Sequence, residues 1–283
     1  MEEHKPSRTA FGAAILRAAH QILEKPKVFA DPLALRIIGA EAEAGLRADL
    51  AAFQTPIRRP QRAGIAARSR FAEDELAKAV GRGVRQYALL GAGLDTFCCR
   101  NPHDADGLQV FEVDHPATQA WKRERLAAAG LTAKPSTIFA PLNFERQTLD
   151  EGIAAAGFAL DQPAFFSWLG VTTYLTRDAI RQTLGFVAAR PKGSAIVFTY
   201  STPPDALNPE QRAHFAERAA IVASVNEPWR SFFEPEDMTA ELRSLGFARV
   251  EDLGPMEIGA RFFVGRTDGF QPGPSGHLVL ATV

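Results

Sequence analysis

The stretch Gln86-Tyr-Ala-Leu-Leu-Gly-Ala-Gly-Leu-Asp95, followed by Gln109-Val-Phe-Glu-Val-Asp114, limits what this chain can fold into more than any other segment. Tyr87 to Leu90 is too short an apolar run for a buried helix and stops at Gly91-Ala92-Gly93, the pattern of a parallel strand entering a tight turn. Glycine tolerates positive φ there and lets a ligand approach the backbone without meeting a Cβ. Asp114 lies twenty-one residues after Gly93, the interval expected of an acid that hydrogen-bonds a ribose diol from the end of the next strand. Glu112 shares its face by strand alternation, but Asp114 is nearer the strand's exit and is the stronger candidate. Gly-x-Gly by itself marks only a tight turn; the acid after the following strand is what points to a cofactor.

The turn argues against a dinucleotide. A third glycine would be needed three residues after Gly93, where Thr96 stands, followed by bulky Phe97. A phosphate-binding Gly-Lys-Ser/Thr is also missing. A cofactor with a ribose but no pyrophosphate suits these residues, and S-adenosylmethionine is the commonest such molecule. A nicotinamide-dependent oxidoreductase and a cofactor-binding protein without catalysis remain open on the residues alone.

Leu-Gly-Ala-Gly-Leu-Asp95, Phe111-Glu-Val-Asp-His-Pro116 and Ser167-Trp-Leu-Gly-Val-Thr-Thr-Tyr-Leu175 together resemble the leucine carboxyl methyltransferase family of class I S-adenosylmethionine-dependent methyltransferases, particularly its bacterial branch acting on small molecules. The resemblance runs from Ser7-Arg-Thr-Ala10 and Asp31-Pro-Leu-Ala34 to Gly265-Arg-Thr-Asp-Gly269. It implies a Rossmann-like α/β fold: a mostly parallel seven-stranded sheet with helices on both faces, closed by an antiparallel pair. It also implies that Arg68 holds the cofactor's methionyl carboxylate, a task suited to bidentate guanidinium chemistry. Asn143, where the family commonly has aspartate, and Phe144 are then expected at the adenine; an amide keeps the hydrogen-bonding capacity and loses the charge. Leu169 stands where protein-directed members carry glutamate, which favours a small-molecule acceptor. Trp168 and Tyr174 are expected to line the methyl-transfer chamber, where an aromatic face attracts a sulfonium, although Trp168 suits packing under the sheet equally well.

The 283 residues suffice for a large core, and a formal net charge of −1 gives no general attraction to nucleic acid or an anionic membrane. No apolar run is long enough to span a bilayer, and Met1-Glu-Glu-His-Lys5 lacks a signal peptide's apolar segment, so a cytoplasmic location is expected. The two cysteines, Cys98 and Cys99, are adjacent and read as small residues buried behind the turn. The six histidines show no ligand spacing, so no metal site is expected.

A single domain is expected over 1–283: a helical cap (1–80), a cofactor-binding core (81–200), a substrate-side insertion (201–233) and a C-terminal part of the core (234–283). In the cap, Ser7 precedes a helix carrying Phe11, Ile15, Ala18 and Ile22 at helical spacing. A second helical stretch runs from Leu33 to Leu50, a Pro/Arg-rich turn from Thr55 to Arg62, and a third helix from about Gly64 to Val80. Strands are predicted near 86–90, 109–114, 137–142, 164–168 and 194–200, alternating with helices such as Thr118–Ala129 and Arg177–Ala189. After an excursion of roughly thirty residues, a helix opens at Glu234 and strands follow at 249–253 and 277–283.

Five arginines, Arg58, Arg59, Arg62, Arg68 and Arg70, crowd one region, and apart from Arg68 they read as a solvated helix face. Phe215, Trp229, Phe232 and Phe233 suggest either a second wall of the acceptor pocket or core packing. A carboxylate acceptor is ionised at neutral pH and needs no base; a hydroxyl acceptor does, and His115 is the nearest motif-associated candidate, though it suits a helix entry or packing against the cofactor's adenine better.

Overall fold

The computed structural model describes residues 6–143 and 147–283. Its centre is a seven-stranded sheet in the order β3-β2-β1-β4-β5-β7-β6. The strands are β1 (Gln86–Leu90), β2 (Gln109–Asp114), β3 (Thr137–Pro141), β4 (Phe165–Trp168), β5 (Ala195–Ser201), β6 (Arg249–Leu253) and β7 (Gly276–Thr282). The first five pair in parallel, and β7 runs antiparallel to both β5 and β6. This is the order expected of a mostly parallel sheet closed by an antiparallel pair.

Alternation along the strands sorts their side chains into two cores. Ala88, Leu90, Phe111, Phe166, Trp168 and Phe198 face one side, and Tyr87, Leu89, Val110, Phe165 and Val197 face the other. Helices α7 (Leu149–Ala155), α8 (Arg177–Ala188) and α10 (Pro235–Leu245) cover the first side. The second is covered by α4 (Arg58–Gly81) and α11 (Pro255–Phe262). Two short-range connections, α5 (Phe97–Arg100) and α6 (Pro116–Ala128), follow β1 and β2.

The cap is α1 (Arg8–Leu23), α2 (Ala34–Ile38), α3 (Ala40–Ala48) and the start of α4. Ser7 caps α1 as expected, its hydroxyl accepting from Ala10 N. The predicted Leu33–Leu50 helix is instead two, because Gly39 takes φ +80° and breaks the hydrogen-bond ladder. In the other direction, α4 begins at Arg58 rather than near Gly64: Pro60 falls in its first turn, where an amide N–H has no intrahelical partner to lose. The insertion carries α9 (Pro209–Ser224), opened by an Asn208/Gln211 capping box.

The arginine cluster is not one solvated face. Arg70 pairs with Asp74 at the surface, but Arg62 is fully buried and holds Glu24 at 2.7 Å. Glu24 also meets Arg266 at 2.5 Å, so the Gly265–Gly269 motif ties the chain's end to the cap. A second dry ion pair, Lys122 Nζ to Glu112 Oε2 at 2.6 Å, lies between α6 and β2. That pairing takes Glu112 out of competition with Asp114.

Cutting one partner of a dry pair strands the other charge. Glu112→Ala should therefore cost about 3–5 kcal/mol in urea denaturation, with most of it recovered by Glu112→Leu/Lys122→Met. A loss under about 1 kcal/mol would show that Lys122 finds another partner.

Candidate functional site

A cavity of about 1110 Å³ opens beyond the carboxyl ends of the strands, between the sheet, the cap and the insertion. Its floor is the β1 turn. Gly91 and Gly93 take φ +68° and +50°, and the amides of Gly91 and Ala92 donate to Val113 O at 2.7 and 3.3 Å. The glycines are also required by protein contacts: a Cβ on Gly91 would lie 2.4 Å from Val171 Cγ2, and one on Gly93 3.2 Å from Ala10 Cβ. Close packing of the β4 loop against the turn thus demands glycine at position 91 whatever the ligand, while at Gly93 the positive φ and the tight approach of α1 favour it.

Asp114, at the end of β2, accepts from Gly93 N at 2.5 Å and from His115 N at 2.7 Å. Burial pushes its carboxyl up to about 6, against the lowering effect of those two bonds. His115 begins α6 and its Nδ1 accepts from Ala117 N at 3.3 Å, so it serves as a helix cap. Gly91, Ala92, Gly93, Asp114, His115, Asn143, Leu169 and Tyr174 all line the cavity. Phe144 lies outside the described residues.

Arg68 reaches the cavity from the middle of α4. Its guanidinium lies against Gly170, where a Cβ would sit 2.3 Å from Nη1. Burial lowers its pKa to about 10, while Tyr174 opposes the shift. No described residue gives it a hydrogen bond or an ion pair. A charged fork left open toward a cavity matches an incoming carboxylate.

Trp168 departs from expectation. It is wholly buried on the opposite face of β4, in the core shared with Leu90 and Phe198. Ser167 and Leu169, its neighbours in the alternation, are the ones that face the cavity. In the insertion, Trp229 lines the cavity and packs against Phe215 (tilted) and Phe232 (edge-on) at centroid distances of 5.0 and 6.5 Å. Phe233 belongs to the core instead.

Sequence reading missed three groups here. Arg17 of α1 sits behind the turn, pairing with Asp31 at 2.9 Å and donating to Leu94 O. Glu227 of the insertion holds the first turn of α1, accepting from Ser7 Oγ at 3.0 Å and Arg8 N at 2.9 Å. On the far wall, Tyr200 Oη donates to Asp252 Oδ2 at 2.6 Å, and His277 Nδ1 lies 2.8 Å from Asp252 Oδ1. With Nδ1–H directed at the carboxylate, Nε2 of His277 is left as an acceptor. Arg17, whose place on the first helix reads as polar surface, is buried instead; all three groups are joined by contacts between distant segments.

The sequence model described as leucine carboxyl methyltransferase matches residues 10–188. A Bacillus subtilis protein, YktD, provisionally named an S-adenosyl-L-methionine-dependent methyltransferase, is 34% identical over 216 residues, covering 76% of this chain and 71% of its own. A similarly named Frankia alni protein is 34% identical over 200 residues, covering 69% and 68%. Among solved structures, a Thermobifida fusca protein described as a methyltransferase superposes with a TM-score of 0.61 at 18% identity, covering 99% of this chain and 96% of that one. A DUF574-family protein from Streptomyces avermitilis gives 0.55 at 16% identity, covering 99% and 98%. Both likenesses are of fold.

The carboxyl of Asp114 binds its proton more tightly in the folded chain than in the unfolded one, so its contribution to stability falls as pH rises from the ordinary carboxylate range through about 6. A 13C titration of the cofactor-free protein should place the Asp114 midpoint near pH 6. A midpoint at the ordinary value of about 3.9 would show that the two amide bonds outweigh burial.

Proposed function

We propose that this chain, which belongs to the leucine carboxyl methyltransferase family and is an S-adenosylmethionine-dependent methyltransferase, methylates a carboxylate or hydroxyl oxygen of a small metabolite. Family membership removes the nicotinamide-dependent alternative. The observation that carries the cofactor half is the unpaired Arg68 guanidinium in the same cavity as the Asp114 carboxylate. Arg68 binds the methionyl carboxylate, Asp114 accepts from the ribose hydroxyls, and Asn143 with Phe144 meets the adenine. When bound, the cofactor supplies an electrophilic methyl group on a sulfonium leaving group.

The chain's own work is then alignment and exclusion of water. The β1 turn fixes the floor, and Glu227 ties α1 to the insertion as a roof. Tyr174 and Leu169 form the wall beside Arg68. Leu169 is apolar where protein-directed relatives have an acid, which supports a small acceptor. His115 is not suited to act as base, because its Nδ1 is committed to the α6 backbone. The His277–Asp252 pair on the cavity wall supports the hydroxyl variant of the reaction. The same reading places the protein in the cytoplasm, independent of nucleic acid and membrane; no helix among the described residues is long and apolar enough to cross a membrane.

Calorimetry tests the cofactor half: Arg68→Met should lose on the order of 2–5 kcal/mol of S-adenosylmethionine affinity, roughly thirtyfold or more, whereas an unchanged Kd removes Arg68 from the site. The acceptor oxygen is tested by the rate of S-adenosylhomocysteine formation against pH at saturating cofactor. A flat profile from about pH 6.5 to 8.5 is expected for a carboxylate. A rate that rises with pH and loses that rise in His277→Gln identifies a hydroxyl acceptor with His277 as its base.

A further inference from the structure

The cavity holds a second guanidinium that no described residue answers. Arg218 projects from α9 and lines the cavity, with Cζ 5.0 Å from the centre of the Trp229 ring. Its Nε is shut off from solvent and has no hydrogen-bond partner, and no described residue forms an ion pair with it. Burial lowers its pKa, with Tyr174 opposing. A half-buried guanidinium whose Nε is dry and unanswered is costly, and a chain that keeps one normally brings the counter-charge from elsewhere.

Among the described residues of the cavity, no carboxylate is placed to supply the counter-charge. Six arginines and three carboxylates among the described residues line the cavity, in a chain whose formal net charge is −1. Each of those carboxylates is already engaged. Asp95 accepts from Phe97 N at 2.7 Å and lies between Arg17 and Arg100 at 3.9 and 3.8 Å. Asp114 takes the amides of Gly93 and His115. Glu227 is held by Ser7, Arg8 and Thr9 at the start of α1. Among the described lining residues, Arg68 and Arg218 are thus guanidinium groups deep in the cavity that no carboxylate pairs with.

We propose that Arg218 anchors a carboxylate of the methyl acceptor, whose apolar body lies on Trp229, Ile221 and Val222. Arg68, against Gly170 beside the β4 loop, serves the cofactor; Arg218, carried by the insertion, serves the acceptor. The assignment of the two sides rests on the methyl-transfer reading above, while the anion site itself rests on Arg218. The cation–π contact with Trp229 holds the guanidinium in place before any ligand arrives. The cavity would accordingly select acids over their uncharged isosteres.

The test uses the full chain loaded with S-adenosylhomocysteine and titrated in a calorimeter with 3-phenylpropionate, 3-phenylpropanamide and phenyl phosphate. The acid should bind at least about tenfold tighter than the amide. Arg218→Met, which keeps the stem over Trp229, should erase that preference while leaving S-adenosylhomocysteine affinity within about twofold; Arg218→Lys should restore part of it. Equal binding of acid and amide, no binding of either, or an acid preference that survives in Arg218→Met overturns the proposal. Phenyl phosphate binding tenfold tighter than the acid overturns the carboxylate class. An acid bound through Arg218 but never methylated leaves the anchor standing and counts against the transfer reading alone.

Discussion

The cavity exists because one buried carboxylate fastens the helical cap to the β1 turn. Asp31 is almost completely inaccessible. It accepts from Thr96 Oγ1 at 2.8 Å and Leu33 N at 3.0 Å, and meets Arg17 Nε at 2.9 Å. Thr96 belongs to the turn after β1, and Arg17 to α1, so this one side chain joins two segments far apart in sequence. Arg100 adds a further charge at 3.7 Å and carries Glu73 of α4 into the network. Several ions out of water are tolerable only when each compensates another, which makes the arrangement all-or-none. Ala10 then lies against Gly93, and the start of α1 is brought to Glu227. Cap, turn and insertion close around a common space as a result.

Much of the framework was legible because the signals are local. Strand alternation, the glycine turn and the acid ending β2 are properties of single segments, and their positions agree with the structure to within a residue or so. The helix opened at Glu234 and ended at Gly246 was likewise marked by its own proline and by a glycine that takes φ +104°. The errors came where context overrides a local signal. Proline and arginines between Thr55 and Arg62 suggested a turn, but the first helical turn accepts proline. Arg62 looked like solvent-facing charge until Glu24 arrived from the cap to neutralise it. Trp168 sat in a motif full of cavity residues, yet the two-residue period of β4 turns it away.

The same contrast explains why the cofactor half of the site can be read from sequence and the acceptor half cannot. Gly91, Gly93 and Asp114 come from two adjacent parallel strands, within one strand-helix-strand unit. Across the sheet, the wall takes Tyr200 of β5 and His277 of β7, held by Asp252 of β6. The reversal of β7 is what brings these together. Because it runs antiparallel, its first residues lie beside the last residues of β5, with His277 opposite Tyr200. A residue near the end of the chain therefore reaches the same edge of the sheet as the β1 turn.

Such a division also assigns different freedoms to the two halves. The β1 turn is enclosed by backbone and by Val171 and Ala10, so substitutions there meet protein before they meet a ligand. The insertion is different. Helix α9 buries none of its residues, and it is joined to the body through Glu227, the Arg230 amide on Thr173 O at 2.6 Å, and Ser231 Oγ on Leu175 O at 2.6 Å. Its inward residues can change without disturbing a core, because few of them contribute to one. Arg218 on Trp229 is thus a local feature on an adaptable element, set over a floor that packing holds fixed. A cavity made this way keeps its cofactor geometry while the chemistry of its opposite wall is free to follow the acceptor.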